Sequence, residues 1–157
     1  MFGFRKLKAL FNPAAATPFE RALRALETGE YESAMALLDD LLASPQLSRR
    51  DCAILANKRG VALVRLARRD EALEAFRTCL ELVPRYAPAM TNLGNLLFEE
   101  GRLDEAIAYY EAAVRNDDRH AAAHHNLAIA YRASGRIEDA VRELRRSVRL
   151  GGRRLED

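Results

Sequence analysis

Chemistry in this chain would have to begin with three histidines, two cysteines and a few amides and cations. His120 and His124 stand four apart, a spacing that one turn of helix could bring together as metal ligands. A metal site needs further ligands, and none follows at a suitable spacing. His120 falls in a turn and His124 at a packing position, so no metal is expected. Cys52 and Cys79 make no paired-cysteine motif. Free cysteines of this kind are small apolar core residues and fit a reducing compartment. The acid pairs Glu99-Glu100 and Asp117-Asp118 flank turns, as solvated helix ends do. There is no glycine-rich phosphate loop and no nucleophile elbow. The expectation is a protein that is not an enzyme and holds no cofactor.

A different pattern does recur. Lys58, Asn92 and Asn126 follow one another at 34-residue intervals, with Asn95 three residues beyond Asn92. They belong to a wider repetition. Met90-x2-Leu93-Gly94-x2-Leu97, followed by Ala106, Tyr110 and Ala113, returns as His124-x2-Leu127-Ala128-x2-Tyr131, followed by Ala140, Leu144 and Ser147. One period earlier stand Ala56-x2-Arg59-Gly60-x2-Leu63, then Ala72, Phe76, Cys79 and Pro84. Self-similarity at a fixed short period is the mark of a stacked-repeat architecture.

Each repeat reads as two helices and a turn. Met90, Leu93, Leu96 and Leu97 lie at helical spacing. Gly101 closes that helix, and Asp104 and Glu105 open the next, at the positive end of its dipole. Ala106, Ile107, Tyr110 and Val114 form its inward stripe, copied by Ala140, Val141, Leu144 and Val148. Alanine at 106 and 140 lets paired helices approach. Ala67 stands where the other repeats have Gly101 and Gly135, which predicts a tighter or strained turn. An earlier hairpin comprises Phe19 to Thr28, Gly29, and Tyr31 to Ala43 with Ala34, Leu37, Leu38 and Leu41 inward. From Ala34 to Ala72 is 38 residues, so four are inserted. Ser48-x2-Asp51 starts a helix expected to run to about Arg68, with one added turn serving as a brace or a ledge.

These residues resemble the tetratricopeptide repeat family, whose pattern places Trp-x2-Leu-Gly-x2-Tyr, Ala, Phe, Ala and Pro at fixed offsets. Leu93, Gly94, Gly101, Ala106, Tyr110 and Ala113 match it. So do Gly60, Ala72, Phe76 and Pro84, and Leu127, Tyr131, Gly135 and Ala140. The tryptophan position is filled by Ala56, Met90 and His124, and the closing proline remains only at Pro84. The resemblance covers about residues 17–152 and implies an all-α, right-handed α-solenoid of about four hairpins (roughly 17–44, 48–84, 87–118 and 121–150). It further implies that the first helix of each repeat lines a concave face. The exposed positions there would be Lys58, Val61 and Arg65, then Thr91, Asn92, Asn95 and Phe98, then His125, Asn126, Ile129 and Arg132. An amide offers both a donor and an acceptor, which suits the backbone of an extended peptide. Lys58, Arg65, Asn92, Asn95, His125, Asn126 and Arg132 are therefore the candidate peptide-binding residues, the cations reading acidic groups. The family's chaperone-tail clamp matches only through Asn95 and Asn126, because Thr91 is not lysine. The resemblance implies a protein-interaction adaptor or scaffold for a protein or peptide partner.

Composition agrees with a folded helical chain. Of 157 residues, 49% are hydrophobic and 31% charged, which argues against disorder. No apolar stretch approaches the ~20 residues of a membrane span, and Arg5, Lys6 and Lys8 interrupt the N-terminal apolar cluster, unlike a secretory signal. The expected location is the cytoplasm. Both ends are basic around an acidic middle. Residues 1–16 form a basic segment and linker in which Phe4, Leu7 and Phe11 share a helical face with Arg5 and Lys8 off it. It could cap the repeats, dock on a second copy to give a homo-oligomer, meet a partner, lie on anionic lipid, or stay disordered. An alternative function is then a peripheral membrane or self-assembling structural protein anchored by that segment. Arg142, Arg145, Arg146 and Arg149 are read as the polar outer face of a terminal repeat, or as a basic strip, ahead of a tail at 153–157. Nucleic acid is not expected, since no base-stacking platform or known motif is present.

Overall fold

The computed structural model describes residues 16–152. Within them lie eight α-helices and no strand. These are α1 (Pro18–Thr28), α2 (Tyr31–Leu42), α3 (Arg49–Arg65), α4 (Arg69–Leu82), α5 (Ala87–Glu99), α6 (Leu103–Asn116), α7 (Ala121–Ala133) and α8 (Ile137–Gly152). Each helix packs on its neighbours in sequence, and α3, α5 and α7 also touch in succession. The result is four helical hairpins stacked as an α-solenoid. The basic N-terminal segment with Phe4, Arg5, Leu7, Lys8 and Phe11 lies outside the described residues, as does the tail at 153–157.

Inside the two middle hairpins a glycine meets an aromatic ring. A Cβ on Gly60 would sit 2.5 Å from the Phe76 ring, and one on Gly94 would sit 2.6 Å from the Tyr110 ring. Absence of a side chain therefore sets how closely α3 approaches α4 and α5 approaches α6. Of the alanines read as close-approach positions, Ala106 is fully buried and Ala140 is buried with 7% exposure. Phe76 and Tyr110 anchor two successive core clusters, which Leu93 and Leu96, then Leu127 and Tyr131, close from the next repeat.

The hairpin turns share one backbone solution. Arg68 N donates to Leu63 O at 2.9 Å, Arg102 N to Leu97 O at 2.9 Å and Arg136 N to Tyr131 O at 2.8 Å. This six-to-one bond places the preceding residue in the left-handed region. Gly101 and Gly135 occupy it at φ 75° and 81°, whereas Ala67 is forced there at φ 57°. The strain expected from sequence is present. It also ends α3 at Arg65, three residues before the expected boundary. The inserted turn does begin at Arg49, where Ser48 Oγ accepts from Asp51 N at 3.1 Å. Arg49 Nη2 donates to Glu81 O at 2.9 Å, in the last turn of α4, so the extension is a brace.

A second device repeats at the same three turns. Arg68, Arg102 and Arg136 each precede a helix and bond the acid three residues on: Glu71 at 2.6 Å, Glu105 at 2.7 Å and Asp139 at 2.8 Å. The guanidinium hydrogen bond holds each carboxyl below the usual carboxylate range. For Asp139, Arg142 adds to the same effect.

One sequence expectation is reversed. Periodicity predicts Val141, Leu144 and Val148 facing inward, with arginines outward as a cap. Only Ala140 of that stripe is buried, and Ile137, Val141, Leu144 and Val148 are among the large hydrophobics left exposed. Helix α7 fills one side of α8, and among the described residues nothing lies on the other. The outer surface of the last hairpin is apolar at its centre.

Replacing Ala67 by glycine should relieve the left-handed strain and stabilise the fold by about 0.5–1 kcal/mol, a rise in Tm of about 2–3 °C by calorimetry. An unchanged or lower Tm would remove the strain argument. The three arginine–acid pairs stabilise the fold only while their carboxyls are ionised. Their contribution is present above the unfolded carboxylate pKa and is lost as pH falls through the lower folded values. Tm should decline on acidification from about pH 4.5 downward, and the decline should be shallower in Glu71→Gln/Glu105→Gln. An identical acid profile for that variant would assign the loss to other groups.

Candidate functional site

Helices α3, α5 and α7 place their exposed faces in one row, and the amides of that row bond to one another across repeats. Asn92 Nδ2 donates to Asn57 Oδ1 at 3.0 Å, joining α5 to α3. Asn126 Nδ2 donates to Asn95 Oδ1 at 2.7 Å, joining α7 to α5. The Tyr110 hydroxyl donates to the same Asn95 oxygen at 2.8 Å. Burial and the Glu99 charge push the Tyr110 hydroxyl pKa up, which keeps it a donor. Half of each amide is thus committed to stacking. Asn92 Oδ1, Asn95 Nδ2 and Asn126 Oδ1 have no partner among the described residues.

Two recesses run along this row. The first, about 260 Å³, lies between α3 and α5 and is lined by Val61, Val64, Arg65, Asn92, Asn95 and Glu99, with Phe76 and Leu96 at its base. The second, about 230 Å³, lies between α5 and α7 and is lined by Asn95, Phe98, Glu99, Tyr110, Asn126 and Ile129. They share Asn95 and Glu99, so they lie side by side along the row, with apolar walls and amide rungs. Arg65 and Arg132 are exposed and make no ion pair among the described residues. Glu99 is held by Arg69 at 2.5 Å, which offsets its charge.

The candidate residues divide between the groove and its surroundings. Lys58, Asn92, Asn95 and Asn126 are half-buried, while Arg65, His125 and Arg132 are exposed. Arg65, Asn92, Asn95 and Asn126 line the two adjacent recesses. His125 and Arg132 instead line a third recess against α8. Lys58 lines none of these recesses. Thr91, expected on the exposed face, is buried, and its hydroxyl donates to Ala87 O at 2.9 Å within its own helix. Two residues tied to this row escape the sequence reading. Asn57 is buried one position before Lys58, off the 34-residue ladder, and Glu99 reads from sequence as a solvated helix end. The 35-residue offset from Asn57 to Asn92 is the available signal, because a bond between stacked helices steps along the row rather than straight across.

His124 is buried at the packing position. Its Nδ1 lies 2.6 Å from Glu143 Oε2, and its Nε2 lies 3.0 Å from Asp118 O, toward which it donates. Both ring nitrogens are engaged in joining α7 to α8 and to the preceding turn. Burial raises the Cys79 thiol pKa to about 11, which disfavours its thiolate.

This arrangement defines a class: a scaffold of stacked helical hairpins whose α3, α5 and α7 line a row of recesses. The chain belongs to the tetratricopeptide repeat family, whose model matches residues 19–87, 57–121 and 91–154. Members of that family bind protein or peptide partners. No curated protein matches the chain in sequence. Among solved structures it is similar to MamA, with 20% identity over 97% of this chain and 87% of that one and a TM-score of 0.69. A MamA structure from Desulfovibrio magneticus RS-1 gives 18% identity, 85% and 73% coverage and a TM-score of 0.66. YrrB, described as a TPR protein with an unusual peptide-binding site, gives 24% identity, 90% and 72% coverage and a TM-score of 0.62. At these identities the likeness is one of fold.

The inter-repeat amide bonds predict a structural cost for substitutions in the row. Asn92→Ala removes the donor to buried Asn57 and should destabilise the fold by about 1–2 kcal/mol in urea unfolding. A stability unchanged by Asn92→Ala would show that the bond to Asn57 contributes nothing.

Proposed function

We propose that the chain is a non-catalytic adaptor that binds an extended peptide segment of a partner protein along the groove formed by α3, α5 and α7. The observation that supports this reading is a pair of adjacent recesses that share Asn95 and Glu99, lined by uncommitted amide groups and by Val61, Phe98 and Ile129. The uncommitted Asn92 Oδ1, Asn95 Nδ2 and Asn126 Oδ1 bond main-chain groups of the peptide, which recur whatever its side chains. The apolar walls receive one or two hydrophobic side chains, and the groove needs little ordering on binding because packing already holds it. Arg65 and Arg132, unpaired among the described residues, favour a partner with acidic residues flanking the bound segment. Lys58 and His125 lie at the margins of this surface. The working location is the cytoplasm, and the domain that carries the function spans about residues 17–152.

The test must spare the asparagines, since removing them loosens the stack. Val61→Ala/Phe98→Ala changes half-buried groove walls that take no part in the recess against α8. Peptides selected by the wild-type protein from a random display library should bind this variant at least tenfold more weakly, with Tm within about 3 °C of wild type. Their capture by the wild type should also fall as salt rises, and fall further in Arg65→Glu/Arg132→Glu. Equal binding by the groove variant would end the groove reading. A loss confined to the arginine variant would restrict recognition to charge.

A further inference from the structure

Ile137, Val141, Leu144 and Val148 form a single stripe along α8, exposed to 56%, 42%, 45% and 67%. Their counterparts 34 residues earlier are Leu103, Ile107, Tyr110 and Val114, all buried or half-buried. Helix α7 covers those counterparts: Ile107 and Tyr110 share a core with Leu127, Ala130 and Tyr131. One period earlier again, Leu73, Phe76 and Leu80 are closed by Leu93 and Leu96 of α5. The α8 stripe is therefore one half of a repeat-to-repeat interface. Ile137, Val141 and Leu144 line, with His125, Ile129 and Arg132 of α7, an open slot of about 330 Å³, and Val148 extends the stripe beyond it. The exposed apolar area is on the order of 400 Å², the size at which a patch marks an interaction surface.

We propose that this slot receives α8 of a second copy of the chain, packed antiparallel about a two-fold axis. The stripe is its own mirror image. Its spacings of four, three and four residues are symmetric about the midpoint between Arg142 and Glu143. An antiparallel partner thus sets Ile137 against Val148, and Val141 against Leu144, at both ends of the contact. The polar edge is self-complementary too. Glu138, Arg145 and Arg149 follow one flank of the stripe and make no ion pair among the described residues. A two-fold axis brings like flank to like flank, so Glu138 falls between Arg145 and Arg149 of the second copy, twice over.

Other occupants fit less well. The N-terminal segment would bring Arg5, Lys6 and Lys8 against Arg132, Arg142 and Arg145, a meeting of like charges. Among the described residues, the opposite end of the solenoid turns Glu20, Arg21, Arg24 and Glu27 of α1 to solvent, a charged surface poorly matched to an apolar stripe for head-to-tail stacking. The stripe's exposed area is below the roughly 800 Å² per partner of a standard stable complex, so the expected association is weak.

Sedimentation velocity on the full chain tests this from about 1 µM to 500 µM. The wild type should pass from monomer to dimer across that range, and Leu144→Glu/Val148→Glu should stay monomeric with unchanged helical circular dichroism. Both positions are exposed, so folding is not at stake. Glu138→Arg should weaken association about tenfold, as should Arg145→Glu/Arg149→Glu. Combining all three substitutions should restore it by exchanging the charges across the axis. A wild type monomeric at 500 µM would overturn the proposal, and so would a dimer indifferent to the stripe variant. Failure of the triple exchange to restore association would reject the antiparallel register. Removing residues 1–11 should leave the dimer intact; its loss would make that segment the occupant and overturn the assignment to α8.

Discussion

The closeness of α3 to α4 and of α5 to α6 governs much of the remaining geometry in this molecule. That closeness is set by a missing side chain: Gly60 under the Phe76 ring and Gly94 under the Tyr110 ring. Since the rings fill the space a Cβ would need, each hairpin has one depth of engagement. Fixing the hairpin fixes the separation between rows, and hence which side chains of α3, α5 and α7 come side by side. The groove is in this sense a remote product of two glycines on its far wall. In the last hairpin the corresponding pair is Ala128 and Leu144, and there the second helix leaves its apolar face in solvent.

The amide row shows how structure and recognition share one residue type. An asparagine has two functional ends, and here stacking takes one end and leaves the other. Asn95 accepts from Asn126 and Tyr110 together, so its oxygen is saturated while its nitrogen remains available. This sharing explains why asparagine is a poor diagnostic of ligand in a repeat of this kind. The same residue would be required by the stack even without a partner.

Much of the architecture is legible in the sequence because it is written three times over. The period, the glycine turns, the alanine approach points and the strained Ala67 all emerge from comparing the chain with itself. The groove is legible in outline, since Arg65, Asn92, Asn95 and Asn126 do line it. Asn57 is missed and Thr91 is misplaced from sequence, for related reasons. Thr91 shares its repeat position with buried Asn57 and is buried like it, whereas the next equivalent, His125, is exposed, and the bond from Asn92 reaches a residue one step off the ladder. The end of the array misleads for another reason. Periodicity alone says that Val141 and Leu144 are interior, and only the absence of a following helix among the described residues puts them outside.

The buried aromatic rings carry an optical consequence. The chain has no tryptophan and five tyrosines. The two buried ones, Tyr110 and Tyr131, sit in the third and fourth hairpins, with Arg136 stacked 4.0 Å from the Tyr131 ring centre. The near-ultraviolet dichroism of the native protein therefore arises mainly from the C-terminal half, whereas far-ultraviolet dichroism counts every helix equally. In a quasi-one-dimensional stack that can melt from either end, comparing the two spectra tells which end has opened.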